Sequence, residues 1–125
     1  MTKKEIGNRG EALAAAFLEK QGYEILCRNY HCRGGELDIV ARRGGFLVFA
    51  EVKTRTAGSF GVPAEAVDLR KQKRLLLAAT DYIWKRPADL QPRFDVIEVV
   101  TRGVGDFSGC EIRQIENAFT TEGLL

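Results

Sequence analysis

Apolar residues follow two rhythms along this chain. From Thr2 to Gln21 they recur at helical spacing, with Leu13, Ala14, Phe17 and Leu18 on one side, and Gly22 marks the end. Thr2 with Glu5 offers a capping box, Asn8 offers a later cap, and Gly7 and Gly10 leave the first turns open. The rhythm then changes to short strand-like runs. Tyr23–Tyr30 is the first, followed by "GELDIVAR" and "FLVFAEVKT", which meet at Gly44-Gly45. Helical spacing returns from about Pro63 to Arg86, where Pro87 stops it. Arg93–Val100 is a further strand, "TRGVGDFSG" a glycine-rich loop, and Cys110–Ile115 a weaker last strand. The order is α-β-β-β-α-β(-β). It predicts an α/β sandwich in which a mixed central sheet is flanked by helices. At 125 residues the chain fits a single domain spanning 1–125 with a core of its own.

The two-residue connection Gly44-Gly45 fixes a register. Glycine tolerates the positive φ that a type I′ turn demands, so Arg43 pairs with Phe46. Counting outward, Asp38 falls opposite Glu51 and Glu36 opposite Lys53, all on one face with Val40, Leu47 and Phe49. Glu36 with Lys53 is an ordinary cross-strand ion pair. Asp38 against Glu51 is not, because opposed like charges destabilise a sheet. A cation, a proton or a nearby base must neutralise them, and two converging carboxylates suit a hard cation. The alternative is an edge of sheet whose charges simply reach solvent. Glu11 shares a helical face with Ala14, Ala15 and Leu18, which would aim a carboxylate at the end of the sheet. A favourable interaction with the helix dipole is the competing reason for an acid there.

Charge and cysteine content narrow the setting. The formal net charge of +2 permits a nucleic-acid partner without demanding one. Three cysteines (Cys27, Cys32 and Cys110) without an apolar leader indicate reduced thiols and a cytoplasmic protein. No apolar run approaches the ~20 residues needed to cross a bilayer. Cys27, His31 and Cys32 match no usual zinc spacing and read as ordinary half-buried thiols beside a histidine. Tyr30, His31, Phe60 and Trp84 read as packing residues, and Asp95 as a structural acid that caps or pairs an arginine.

"GELDIV" followed by "LVFAEVKTR" resembles the D…E-x-K signature of the PD-(D/E)-x-K nuclease superfamily. "GNRGEALAAAFLEKQGYEIL", "RNYHCRGGELDIV", "SFGVPAEAV", "KQKRLLLAATDYI" and "RFDVIEV" extend the likeness over nearly the whole chain. Together they resemble the YraN-like family of uncharacterised bacterial proteins, similar in core to archaeal Holliday-junction resolvases. Leu37 stands where the superfamily's eponymous proline would be, and Ala50 where a larger apolar residue is usual. The resemblance implies a restriction-endonuclease-like sandwich. It also implies that Asp38, Glu51 and Lys53 are catalytic, with Glu11 as the helix glutamate. Glu36 belongs to the family's G-E-x-D pattern.

That likeness implies Mg²⁺ or Mn²⁺ held by Asp38, Glu51 and Glu11, with the carbonyl of Val52 completing the shell. Lys53 would orient a water or stabilise developing negative charge. Arg55 follows the site, and Arg70, Lys71, Lys73 and Arg74 put four cations into five residues of the second helix. Such residues contact phosphates independently of sequence, although a charge run is also an ordinary solvated helix face. Gln72 is a further candidate. The reading is a metal-dependent nuclease acting on DNA, branched DNA included. The alternative is a nucleic-acid-binding protein that keeps the fold without cleaving. A third reading, a protein-interaction scaffold whose acids pair with Lys53 and nearby arginines, gives no reason for Asp38 to face Glu51. Symmetric cutting of a junction needs two sites and hence a homodimer, but no segment marks an interface.

Overall fold

The computed structural model describes residues 1–58 and 68–119. Helix α1 spans Lys3–Lys20, and strands β1 (Glu24–Cys32), β2 (Gly35–Arg43) and β3 (Phe46–Thr56) follow. Helix α2 (Leu69–Lys85), β4 (Gln91–Thr101) and β5 (Glu111–Ile115) complete the order α-β-β-β-α-β-β. The strands form one mixed sheet in the order β1-β2-β3-β4-β5. β3 and β4 run parallel and every other neighbouring pair runs antiparallel. This is the α/β layout that the sequence predicts.

Burial explains why the interior strands read as continuous apolar runs. Phe49 and Val96 face α2, whereas Val48, Ala50, Ile97 and Val99 face α1, so both faces of β3 and β4 are covered. The outer strands β1 and β5 instead alternate between half-buried and exposed positions along most of their length. Helix α1 contributes Ala14, Ala15 and Leu18 to one core layer. Helix α2 contributes Leu75, Ala78, Ala79 and Tyr82 to the other. The sheet therefore separates the two helices.

The caps set where each helix begins. At α1 the Thr2 hydroxyl accepts the Glu5 N–H at 3.1 Å, and Glu5 Oε1 accepts the Thr2 N–H at 3.0 Å. This is the capping box, and Asn8 is not needed. Helix α2 starts later than the expected Pro63. Asp68 has extended backbone, φ −72° and ψ 174°, and its carboxylate accepts the Lys71 N–H at 2.9 Å. An aspartate at that spacing satisfies an orphan donor and makes Leu69 the first helical residue. Residues 59–67, which include Pro63 and Phe60, lie outside the described residues.

Other local expectations fare differently. Arg43 does pair with Phe46 across the glycine turn. Gly44 takes a φ of 57° but Gly45 takes no positive φ, so the turn is not type I′, which needs both. Tyr30 packs edge-on against Tyr82, with ring centroids 5.2 Å apart. Trp84 does not pack, since it is 83% exposed, and His31 is exposed on the edge strand. The three cysteines are half-buried free thiols. Asp95 has the structural role expected of it. Fully buried, it accepts from Arg93 at 2.9 and 2.8 Å, from Gln114 Nε2 at 2.9 Å and from the Asn117 N–H at 3.0 Å. Both oxygens of this buried acid are thereby satisfied, which ties β5 and the following turn to β4.

Candidate active site in a fork of the sheet

Strands β2 and β3 pair from Arg43–Phe46 as far as Ile39–Ala50, and there the ladder ends. Beyond that point β2 pairs only with β1, Glu36 lying opposite His31. Strand β3 pairs only with β4, Lys53 lying opposite Glu98. The expected Glu36–Lys53 pair therefore does not form. Glu36 sits instead 3.5 Å from His31 Nδ1, both side chains exposed. The expected direct opposition of Asp38 and Glu51 falls one step past the last paired residues. A side chain fills the break: Asp38 Oδ2 accepts the Val52 N–H at 2.8 Å.

Two glycines let the helices close on this fork from opposite faces. A Cβ on Gly10 would lie 2.0 Å from Thr54 Oγ1, so α1 touches β3 there through bare backbone. A Cβ on Gly35 would lie 2.4 Å from the Arg74 carbonyl oxygen, so α2 lies equally close to the start of β2. Glu11, the residue after Gly10, is brought into the same cleft as Asp38, Glu51, Val52 and Lys53. Lys71 enters that cleft from the first turn of α2. Glu36 reaches its lining, but Gln72 is not among the described residues that line it.

The cleft concentrates like charge under partial burial. Glu51 is only 5% exposed. Asp38 is pushed up to about 8, first by burial and then by the Glu51 charge, with a hydrogen bond to Glu51 adding to it and the Val52 N–H opposing. Asp38 therefore keeps its proton to higher pH than an ordinary aspartate. Burial also raises Glu11; Arg28 offsets part of this, while Glu51 and Glu36 add to it. Glu11 Oε1 is buried without a hydrogen-bond partner. Lys53 is lowered by burial and by neighbouring Lys71.

Lys71 is not placed as a freestanding phosphate contact. Its Nζ lies 2.5 Å from Glu51 Oε1. Burial is the largest single effect and works against its charge, but the hydrogen bond to Glu51, the Glu51 charge and smaller contributions from Lys53 and Asp38 together outweigh it, and its affinity for a proton rises. The position is costly for a cation, since the N-terminus of a helix carries partial positive charge and disfavours it by about 0.3–1 kcal/mol. That conflict between residue and helix end is the signal in the sequence that marks Lys71 as more than one cation in a basic run. Arg70, Lys73 and Arg74 are exposed on α2.

Arg55 also has a role beyond the phosphate contact expected of it. Its Nε lies 2.5 Å from Oε2 of Glu98, which is 1% exposed, and Arg113 Nη1 approaches Glu98 Oε1 at 3.8 Å. Glu98 thus holds Arg55 beside the cleft. An acid inside the apolar run "DVIEVV" was the available sign of it.

The donors suit a hard cation in chemistry, and the orphaned Glu11 oxygen is what an absent partner would leave. Among the described residues, however, no group of three or more His, Cys, Asp or Glu side chains is arranged to hold a metal ion. Glu11 lines the cleft without closing a three-acid cage. Such an arrangement fits Mg²⁺ better than a cage-bound ion, because Mg²⁺ is commonly held by one or two carboxylates together with waters and substrate phosphates.

These features define an α/β protein with a half-buried Asp38 beside a buried Glu51 and two lysines in a fork of a mixed sheet. The chain belongs to the uncharacterised protein family UPF0102, which matches residues 10–99 and so includes Glu11, Asp38, Glu51, Lys53 and Lys71. It is 44% identical to a UPF0102 protein of Caldicellulosiruptor saccharolyticus over 95% of this chain and 100% of the relative. A UPF0102 protein of Geobacter metallireducens is 48% identical over 93% of each chain. One from Lachnoclostridium phytofermentans is 45% identical over 98% of this chain and 99% of its own. No helix among the described residues is long and apolar enough to cross a membrane.

Proposed function

We propose that the protein is a Mg²⁺-dependent nuclease that hydrolyses phosphodiester bonds in DNA, branched DNA included. The observation that carries this reading is the convergence of Asp38, Glu51, Lys53 and Glu11 on one cleft. Asp38 and Glu51 are the pair that would hold the ion, with Glu11 and the Val52 carbonyl as further donors. Bound there, the metal supplies charge neutralisation at the phosphate and a water of lowered pKa. Lys53 faces the same space and stabilises negative charge developing on the phosphoryl oxygens. Its lowered pKa also makes a neutral amine more accessible than in free lysine. Arg55, Arg70, Lys73 and Arg74 supply phosphate contacts that set position rather than sequence preference.

A second reading has its own support. The Lys71–Glu51 ion pair balances part of the acid charge without metal. A protein that binds nucleic acid and never cleaves it would keep the same cations. Single-stranded, duplex and four-way-junction DNA, each incubated with Mg²⁺ or Mn²⁺, separate the two readings when the intact protein is compared with Asp38→Ala. Cleavage that Asp38→Ala abolishes while binding persists supports the nuclease. Binding with no metal-dependent cleavage of any substrate supports the binding protein and refutes the nuclease.

A further inference from the structure

We propose that Lys71 is a built-in counter-ion that holds Glu51 in the metal-free protein and competes with a divalent cation for it. This rests on the metal-dependent reading above and deepens it, because it assigns the site a form of regulation. Three observations support it.

The first is contact: Lys71 Nζ lies 2.5 Å from Glu51 Oε1, and the Glu51 side chain is 6% exposed. An ammonium at that distance occupies the space in front of a carboxylate oxygen that a bound ion would also need. The second is location. Lys71 lies in the first turn of α2, beside Arg70, with no acid in that turn. Helix stability alone gives no reason for two cations there. The third is reach. The Lys71 side chain is 36% exposed and lines the rim of the cleft on a flexible four-carbon stem, so its ammonium can leave Glu51 for solvent without movement of the helix.

Two ligands that exclude each other from one carboxylate are coupled in both directions. A cation entering the site releases Lys71, and anything that draws Lys71 away favours the cation. Nucleic-acid phosphate at the rim has the charge to do so. Metal loading would then be weak in the free protein and stronger when a phosphate backbone lies across the cleft.

The test measures Mn²⁺ affinity directly, by the electron paramagnetic resonance signal of the free ion, for the intact protein, Lys71→Gln, Lys71→Arg and Asp38→Asn. Lys71→Gln is expected to bind Mn²⁺ at least about tenfold more tightly than wild type, within the usual range for coupled sites. Lys71→Arg, which keeps the positive charge, is expected to stay near wild type. If wild type binds Mn²⁺ in an Asp38-dependent way and Lys71→Gln binds no more tightly, the counter-ion role is overturned while the metal-dependent reading stands. If neither wild type nor Lys71→Gln binds at millimolar Mn²⁺, both are overturned. A second measurement needs no variant: acetic anhydride labelling of Lys71, followed by mass spectrometry, should increase when Mn²⁺ is added. Unchanged labelling under saturating Mn²⁺ also overturns the proposal.

Discussion

Replacing Asp38 by asparagine should stabilise the metal-free protein at alkaline pH while removing an acid on which the proposed chemistry depends. The folded protein keeps the Asp38 proton up to about 8, whereas an ordinary aspartate releases it near 3.8. Between those values the folded state binds more protons than the unfolded chain, so stability falls as pH rises, and the loss is complete once pH exceeds the folded value. At about 1.4 kcal/mol for each tenfold difference in proton affinity, the upper limit is about 5–6 kcal/mol. The cleft is open to solvent, and Lys53 and Lys71 can draw closer to the new charge. Both effects bring the folded value down from about 8, and we expect a loss of about 2–3 kcal/mol. Asparagine keeps an oxygen for the Val52 N–H and carries no charge at any pH. Part of that loss has already accrued at pH 5, so the variant's advantage should be smaller there and should reach about 2–3 kcal/mol at pH 9. Urea denaturation in chelator, followed by far-UV circular dichroism, measures this; Trp84, 83% exposed, is a poor fluorescent reporter. A difference between the two proteins that is the same at pH 5 and pH 9 would refute the acid pair of Asp38 and Glu51.

Three further outcomes follow from the packing and the charges. Gly10→Ala forces a Cβ to within 2.0 Å of Thr54 Oγ1, and should cost about 1–3 kcal/mol in urea denaturation; adding Thr54→Ala should recover part of it. Asp95→Ala leaves Arg93, Gln114 and the Asn117 N–H without their shared acceptor, and should cost about 3–5 kcal/mol, with faster amide exchange in β5. If DNA crosses the α2 rim, replacing Arg70, Lys73 and Arg74 together by glutamine should weaken binding to all sequences alike. It should also flatten the dependence of log affinity on log salt by about 0.9 for each duplex phosphate that the variant no longer neutralises.

The two rhythms of apolar residues were enough to give the order of helices and strands. Helical spacing and strand alternation are local, and they need no knowledge of what lies across the core. Gly44-Gly45 was likewise enough to pair Arg43 with Phe46, since a two-residue connection leaves little choice of register. Asp38, Glu51, Lys53 and Glu11 could be singled out because acids and a lysine interrupt surfaces that otherwise read as core.

Other features depended on residues remote in sequence, and only the tertiary structure decided them. Counting along the hairpin extends its ladder indefinitely, but β3 turns to follow its parallel neighbour β4, and pairing with β2 ends at Ile39–Ala50. The fork that results parts Glu36 from Lys53 and leaves Asp38 to bond the Val52 N–H. Gly10 left the first turns of α1 open in the sequence, yet it and Gly35 are each where a helix backbone meets a strand. Lys71 looked like one of four cations on a solvated face, and its partner Glu51 lies on a different element twenty residues earlier. A charge's neighbours across the fold, not its neighbours along the chain, determine whether it binds solvent, phosphate or a buried acid.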